Sequence, residues 1–146
     1  MATIHAISEG ILELDLRKSI PEIINQDAVN LEDRQALQMN TGLKSNGSLI
    51  TPQYSPFTVE EKRRKGQPSD RVTLRDTGAF QKAIKVHADS DSINFDSTDS
   101  KTEKLVSKYS SDIFGLNQDN TEDYVNELLY PKIVKHIEST TGLKMR

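Results

Sequence analysis

The sequence predicts an α+β fold in which a small antiparallel β-sheet packs with N-terminal and C-terminal helices, plus an extended proline-containing arm. Apolar residues recur at helical spacing near both ends of the 146-residue chain, whereas two short central segments alternate between apolar and polar residues. Prolines interrupt the stretch between these regions. The length suits a single domain, 1–146, with a helical part at 1–42, a hairpin, arm and basic helix at 43–70, and the sheet with C-terminal helices at 71–146.

The N-terminal part is predicted to be helical. Residues 4–18 carry isoleucine and leucine at helical spacing. Pro21 either ends this helix or begins a second one, because proline is tolerated in the first turn. A short helix follows at 31–39, with Asn30 as its N-cap and a stop at Thr41–Gly42.

The middle part is predicted to contain a hairpin turn, an extended arm and a short helix. Asn46 and Gly47 are the strongest hairpin signal, because both residues can adopt positive φ. Two prolines make residues 51–57 an extended arm or loop. Residues 58–61 match a capping box that opens a short basic helix, and Gly66 helps to close it.

A small sheet is predicted next. Residues 71–74 have strand character, and the Asp76–Thr77–Gly78 turn leads into a short helix at 79–82. Segments 83–87 and 91–96 alternate in polarity and are predicted to pair as antiparallel strands through an Asp/Ser turn.

Two helices are predicted after the sheet. The first, at 101–109, is short and amphipathic. The second is capped by Asn120 or Thr121, kinked or divided at Pro131, and ended by Gly142.

The composition describes a folded chain with a lean core. Hydrophobic residues make up 34% of the sequence, so we expect neighbouring subunits to bury part of the apolar surface, as in a ring. There is no cysteine, which removes disulfides, thiolate metal sites and cysteine nucleophiles. No segment approaches the roughly 18 apolar residues of a membrane span, and the N-terminus lacks signal-peptide features. We therefore expect a soluble protein that is not secreted by that route and has no membrane partner.

Charge is unevenly spread although the net charge is only −3. A basic stretch lies between residues 62 and 75, and an acidic one between residues 89 and 123. Oppositely charged surfaces of this kind can dock head-to-tail on copies of the same chain. The equal alternative is that both charged stretches are simply solvent-exposed surface. The basic residues at 62–65 could also contact phosphates, but the chain has no interleaved aromatics or recognisable nucleic-acid motif.

No residue pattern predicts catalysis. His5, His87 and His136 share no metal-ligand spacing. The acidic segment 89–96 lacks the glycine and glutamate that a calcium loop needs, so a hairpin turn rich in hydrogen-bonding side chains explains it better. Neither a phosphate-binding glycine loop nor a nucleophile elbow is present. We expect a protein that is not an enzyme and holds no cofactor or metal.

An ordered set of short motifs runs from residue 47 to residue 137. A glycine, an apolar pair and a proline at 47–52 precede a polar linker, and a Leu-x-Asp-Thr-Gly-x-apolar turn at 74–80 precedes the β-hairpin. Residues 113–117 then supply an apolar pair, Gly-Leu and a polar capping residue ahead of the last helix. This set resembles the virion-morphogenesis or tail-completion proteins, the head–tail connectors, of tailed bacteriophages.

The resemblance implies a virion structural protein and no enzyme. Such a protein assembles as a homo-oligomeric ring at the head–tail junction, contacts other phage neck, portal or tail proteins, and surrounds a channel that can hold DNA. It resides in the virion and, during assembly, in the host cytoplasm. The alternative is a nucleic-acid-binding accessory protein of DNA packaging that uses the basic helix.

Two groups of residues are candidates for specific roles. The arm has few internal hydrogen-bond partners, so we expect it to reach a neighbouring subunit, with a flexible loop as the alternative. The candidate subunit interface comprises Thr51, Pro52, Tyr54, Pro56, Phe57, Lys62, Arg63, Arg64 and Lys65. The second group defines a turn of the fold: Asp76 or Thr77 caps the next helix, Gly78 permits a tight backbone path, and Phe80 points inward.

Overall fold

Helices from both ends of the chain pack against a two-stranded antiparallel sheet in the computed structural model, which describes residues 3–145. The predicted α+β class is confirmed. The elements, in chain order, are α1 (Ile4–Glu13), α2 (Leu16–Gln26), α3 (Ala28–Asn40), α4 (Pro56–Arg64), α5 (Ala79–Lys82), β1 (Ile84–Ala88), β2 (Ile93–Ser97), α6 (Thr102–Tyr109), a 3₁₀ turn (Ser111–Ile113), α7 (Gln118–Tyr124), a π-helical turn (Val125–Leu129) and α8 (Tyr130–Thr141).

Two helices replace the single N-terminal helix that the periodicity predicted. Asp15 separates them, because its side chain accepts a hydrogen bond from the Lys18 N–H at 3.3 Å and caps α2. Pro21 neither ends nor begins a helix but lies inside α2. It removes one backbone hydrogen bond, to the carbonyl of Arg17, and Arg17 is an exposed residue. Water can therefore serve that carbonyl.

The third helix starts earlier than predicted. Ala28 is its first residue, and Asn30 lies inside it, where the side chain accepts a hydrogen bond from Arg34 Nε at 2.7 Å. The prediction of Asn30 as N-cap is therefore wrong. The predicted stop is confirmed, since α3 ends at Asn40 and Gly42 has a φ of 80°.

The predicted hairpin around Asn46 and Gly47 forms only as a tight turn. Leu43 and Leu49 make a single antiparallel bridge across it. Gly47 has a φ of 84°, and Asn46 Oδ1 accepts a hydrogen bond from the Ser48 N–H at 3.0 Å.

The prediction of a strand at 71–74 is wrong. These residues are irregular although Val72, Thr73 and Leu74 are buried. Side chains take the place of a neighbouring strand: the Tyr54 hydroxyl accepts a hydrogen bond from the Thr73 N–H at 3.0 Å, and Gln81 Nε2 donates to the Thr73 carbonyl at 2.8 Å.

The sheet forms within two residues of its predicted position. Val86 of β1 lies opposite Phe95 of β2 in antiparallel register. The predicted turn between the strands is confirmed by a backbone hydrogen bond from the Asp89 N–H to the Ser92 carbonyl at 3.0 Å. The burial of β1 alternates, so one face of the hairpin packs inward.

The core consists of two hydrophobic clusters, and α3 contributes to both. Met39 belongs to the first cluster, together with Phe80 and Ile113. Leu31 belongs to the second, together with Tyr124 and residues of β1. A helix shared by two clusters fixes their relative positions.

Two buried glutamines join α3 to the loop that follows the 3₁₀ turn. Gln35 Oε1 accepts a hydrogen bond from the Gly115 N–H at 2.7 Å, and Gln38 Nε2 donates to the Gly115 carbonyl at 2.8 Å. Gln38 Oε1 also accepts from the Asn117 N–H at 2.8 Å. The two side chains are at most 2% exposed, so these bonds are shielded from water.

The C-terminal helix begins neither at Asn120 nor at Thr121 but at the polar capping residue of the 113–117 motif. Asn117 is the N-cap, and its side chain accepts a hydrogen bond from the Asn120 N–H at 2.9 Å; Thr121 lies within the helix. The helix then runs without interruption through the π-helical turn into α8, so Pro131 does not divide it. The wide π turn directly precedes this proline, which cannot donate an α-helical hydrogen bond. Gly142, with a φ of 75°, ends the helix as predicted.

A buried polar network ties the start of α3 to the C-terminal helix. Asp27, which is 5% exposed, accepts hydrogen bonds from the Tyr124 hydroxyl at 2.9 Å and from the Lys132 ammonium. Burial raises the pKa of Tyr124, and the hydrogen bond to Asp27 raises it further.

The first helix packs on the last one through Gly10. A Cβ at this position would overlap the Thr140 carbonyl oxygen and the backbone of Thr141. Glycine therefore permits α1 to approach the end of α8 closely.

We predict that Gln38→Leu lowers the free energy of unfolding by about 2–4 kcal/mol, because the partly buried Gly115 carbonyl and the buried Asn117 N–H lose their partners. Urea denaturation measures the change. Gln118→Leu is the matched control, since exposed Gln118 bonds only to Glu122 within residues 3–145, and should change stability little. Equal effects of the two substitutions would contradict the role given to Gln38.

We predict that stability falls as the pH rises above about 10, because an unfolded tyrosine ionises there while folded Tyr124 keeps its proton. The contribution is complete below this pH and is lost above it. Tyr124→Phe should remove this part of the pH dependence of urea denaturation. Tyr130→Phe, at a position 58% exposed, should leave it in place.

Candidate functional site

The predicted arm lies along the body of the protein and is anchored at one residue. Thr51 and Pro52 are exposed, but Tyr54 is half-buried against the first hydrophobic cluster. Pro56 is the first residue of α4, so the arm ends before Phe57, which is helical and 76% exposed. The capping-box prediction is off by one turn, because Ser55 caps α4 by accepting from the Thr58 N–H at 3.3 Å.

Lys62 does not belong to an exposed basic surface. It is 7% exposed, and its ammonium lies 5.3 Å from the centre of the Tyr54 ring. The same ammonium donates a hydrogen bond to the Arg75 carbonyl. Lys62 therefore holds the arm and the irregular segment at 72–75 together.

The other three basic residues of this stretch are exposed and paired. Nitrogen–oxygen distances are 3.8 Å for Arg63–Glu60, 3.1 Å for Arg64–Glu61 and 2.7 Å for Lys65–Asp76. The hydrogen-bonded ion pair lowers the pKa of Asp76 and raises the pKa of Lys65. Nearby carboxylates thus offset much of the positive charge.

The Asp-Thr-Gly turn directs a side chain into the core as predicted. Gly78 has a φ of 89° and directly precedes α5, and Thr77 Oγ1 accepts a hydrogen bond from the Ala79 N–H at 3.3 Å. The prediction that Asp76 or Thr77 caps the helix is wrong, because Gly78 is the N-cap and α5 has no side-chain capping hydrogen bond. Asp76 pairs with Lys65 instead. Phe80 is 5% exposed and lies in the first cluster, which confirms its predicted inward position.

A cleft of about 200 Å³ brings the two predicted groups together. Tyr54 and Lys62 contribute one side, and the turn at 76–78 contributes another. Leu105 and Tyr109 of α6 add apolar surface, whereas exposed Arg75 and Lys101 add positive charge. We call this site the α4–α6 cleft. The remaining candidate interface residues, which are Thr51, Pro52, Pro56, Phe57, Arg63, Arg64 and Lys65, do not line it.

Sequence reasoning missed the α6 side of the cleft. Leu105 and Tyr109 were recognisable only as the apolar stripe of an amphipathic helix, and that stripe indicates a core as readily as a binding site. Arg75 and Lys101 belong to separate charged stretches of the sequence, and no sequence pattern indicates that they lie at the same cleft. Their approach depends on the fold between them.

The cleft offers groups for binding. Its walls carry aromatic and aliphatic side chains, and its cations suit a partner that combines apolar and acidic groups. No histidine lines it. Within residues 3–145, no three histidine, aspartate or glutamate side chains lie close enough together to hold a metal ion. In the same range, no helix is long and apolar enough to cross a bilayer.

The acidic turn between the strands has a local explanation. Asp89 Oδ1 accepts hydrogen bonds from the N–H groups of Asp91 and Ser92, each at 2.9 Å. These bonds lower the pKa of Asp89. The carboxylate is therefore engaged in the turn, as the sequence predicted.

Comparisons of the chain with protein-family models, with curated proteins and with solved structures find no match. They neither support nor refute the resemblance to phage connectors. A function proposed for this chain therefore rests on its own residues and geometry.

We predict that Tyr54→Phe lowers the free energy of unfolding by about 1 kcal/mol, because the Thr73 N–H loses its acceptor. Urea denaturation of the variant measures this loss. Tyr130→Phe removes an exposed hydroxyl and should have no measurable effect. A result in which the two variants are equally stable would show that the Tyr54 hydroxyl does not anchor the arm.

Proposed function

We propose that the protein is a structural component of a tailed-phage virion that assembles as a homo-oligomeric ring at the head–tail junction. In this role it contacts other neck, portal or tail proteins and surrounds a channel that can hold DNA. The proposal joins the sequence resemblance to one structural observation, which is the presence of two unlike surfaces suited to contact.

The first surface is the outer side of α1. Ile4 is 85% exposed, Leu12 is 86% exposed and Ile11 is 51% exposed. Single exposed apolar residues are common on proteins, but three on one ten-residue helix form a patch suited to contact.

The second surface is the α4–α6 cleft, which lies beside the first hydrophobic cluster. α1 instead packs on α8, which continues the helix that carries Tyr124 of the second cluster. Two different surfaces on one subunit favour a head-to-tail contact, and repeated head-to-tail contacts close into a ring when the rotation allows.

The nucleic-acid alternative receives less support from the site. Lys62 is buried and internally bonded, and Arg63, Arg64 and Lys65 each have a carboxylate partner. Few cations of the basic helix are then available for phosphate contacts.

We predict closed rings of one size when the purified protein is studied at high concentration by light scattering and negative-stain imaging. The reason is that the core of one subunit is small, and that the outer side of α1 and the α4–α6 cleft are two different surfaces that favour repeated association. A monomer that binds DNA tightly at physiological salt would contradict the proposal. Such binding should weaken steeply with salt if the alternative holds, and neutralising Arg63, Arg64 and Lys65 should reduce that slope.

A further inference from the structure

We propose that the outer side of α1 in one subunit docks into the α4–α6 cleft of a second copy of the chain. An apolar side chain of α1 enters the cleft, and the carboxylates of α1 face the cations at its edge. This inference rests on the ring assembly proposed above and identifies the contact that repeats around the ring.

The apolar stripe of α1 has the form of a docking surface. Ile11 and Leu12 follow Ile4 by seven and eight residues, which places them on one side of the helix. Gly10 faces α8 instead, so α1 stays packed on its own subunit while the stripe remains exposed. Docking therefore requires no unfolding of α1.

One carboxylate borders this stripe, and a second lies further around the exposed side of α1. Glu9 lies one turn before Leu12, whereas Glu13 lies one turn beyond Glu9 and about 100° around the helix from Leu12. Glu9 contacts His5 at 3.2 Å, and Glu13 has no ion-pair partner within residues 3–145. The exposed side of α1 is thus both apolar and acidic.

The cleft has complementary size and chemistry. Its volume of about 200 Å³ exceeds the roughly 150 Å³ that accommodates benzene in a protein interior, so an isoleucine or leucine side chain fits. Aromatic and aliphatic groups of Tyr54, Leu105 and Tyr109 would surround that side chain.

Two cations of the cleft are available to a partner, although the cleft is also lined by Asp76, which is paired with Lys65. Arg75 and Lys101 are exposed, and neither forms an ion pair with a carboxylate in the part of the chain that the structure describes. The neighbouring cations at 63–65 are already paired. Complementary charge across a contact fixes its register and disfavours other partners.

Phe57 is the rival occupant of the cleft, since it is also exposed. It belongs to α4, whose Lys62 lines the cleft, so reciprocal insertion of Phe57 would form a two-fold dimer and close the cleft to α1 of another copy. The carboxylates that follow it, Glu60 and Glu61, are paired with Arg63 and Arg64. α1 therefore matches the cleft better.

The test exchanges charges between the two surfaces of the full chain. One variant carries Glu9→Lys with Glu13→Lys, and the other carries Arg75→Glu with Lys101→Glu. Each variant places like charges at both sides of its own contact, so its self-association should weaken at least roughly tenfold relative to the wild type, measured by sedimentation velocity. Glu122→Lys with Asp123→Lys changes the net charge by the same amount as the first variant, on exposed residues of α7, and should leave assembly unchanged.

Mixing the two variants supplies the decisive readout. Opposite charges then meet at every contact between unlike subunits, so mixed oligomers should form from two proteins that do not assemble alone. Failure of the mixture to associate overturns the docking proposal, as does a wild type that stays monomeric at every concentration. Wild-type rings that both exchanges leave intact overturn the docking but not the ring. A dimer that Phe57→Asp dissociates assigns the cleft to Phe57.

Discussion

The hydrogen bonds of two buried glutamines hold the structure together at its centre. Gln35 and Gln38 bind the backbone of the loop at 113–117 much as a neighbouring strand would. This loop carries Ile113 into the first cluster and Asn117 to the start of the C-terminal helix. The position of that helix in turn determines where α1 can pack, through Gly10. A local polar contact thus governs the placement of the N-terminal helix.

The α4–α6 cleft depends on the same kind of interaction. The segment at 72–76 is buried in part but joins no sheet, so side chains must satisfy its backbone. The Tyr54 hydroxyl accepts a hydrogen bond from the Thr73 N–H, and Gln81 donates one to the Thr73 carbonyl. Lys62 donates one to the Arg75 carbonyl. These contacts shape a cleft from irregular chain without the help of a large sheet. They also explain why a lysine of the basic stretch is buried.

Sequence patterns predicted the elements better than their boundaries or contacts. Alternation located both strands, and Gly42, Gly78 and Gly142 marked turns because each adopts positive φ. Several N-caps were misplaced by local pattern, because more than one polar residue near the start of a helix can act as its N-cap. Tertiary contacts decide which of them does. Asn117, which the 113–117 motif marked as a capping residue and the local helix pattern did not, is held by Gln38. The burial of Lys62 was equally hidden, because its carbonyl partner lies thirteen residues away and only the fold brings the two together.

The central claim is that two unlike surfaces of neighbouring copies meet, and cross-linking tests it most directly. The chain has no cysteine, so Ser8→Cys combined with Ala79→Cys introduces one reactive group on each surface and leaves Leu12, Arg75 and Lys101 unchanged. Treatment with a short bifunctional thiol reagent should give a ladder of covalent oligomers that ends at the ring size, whereas each single variant should give no such ladder. Products limited to dimers, or monomers that remain uncross-linked in an assembled sample, would contradict the claim.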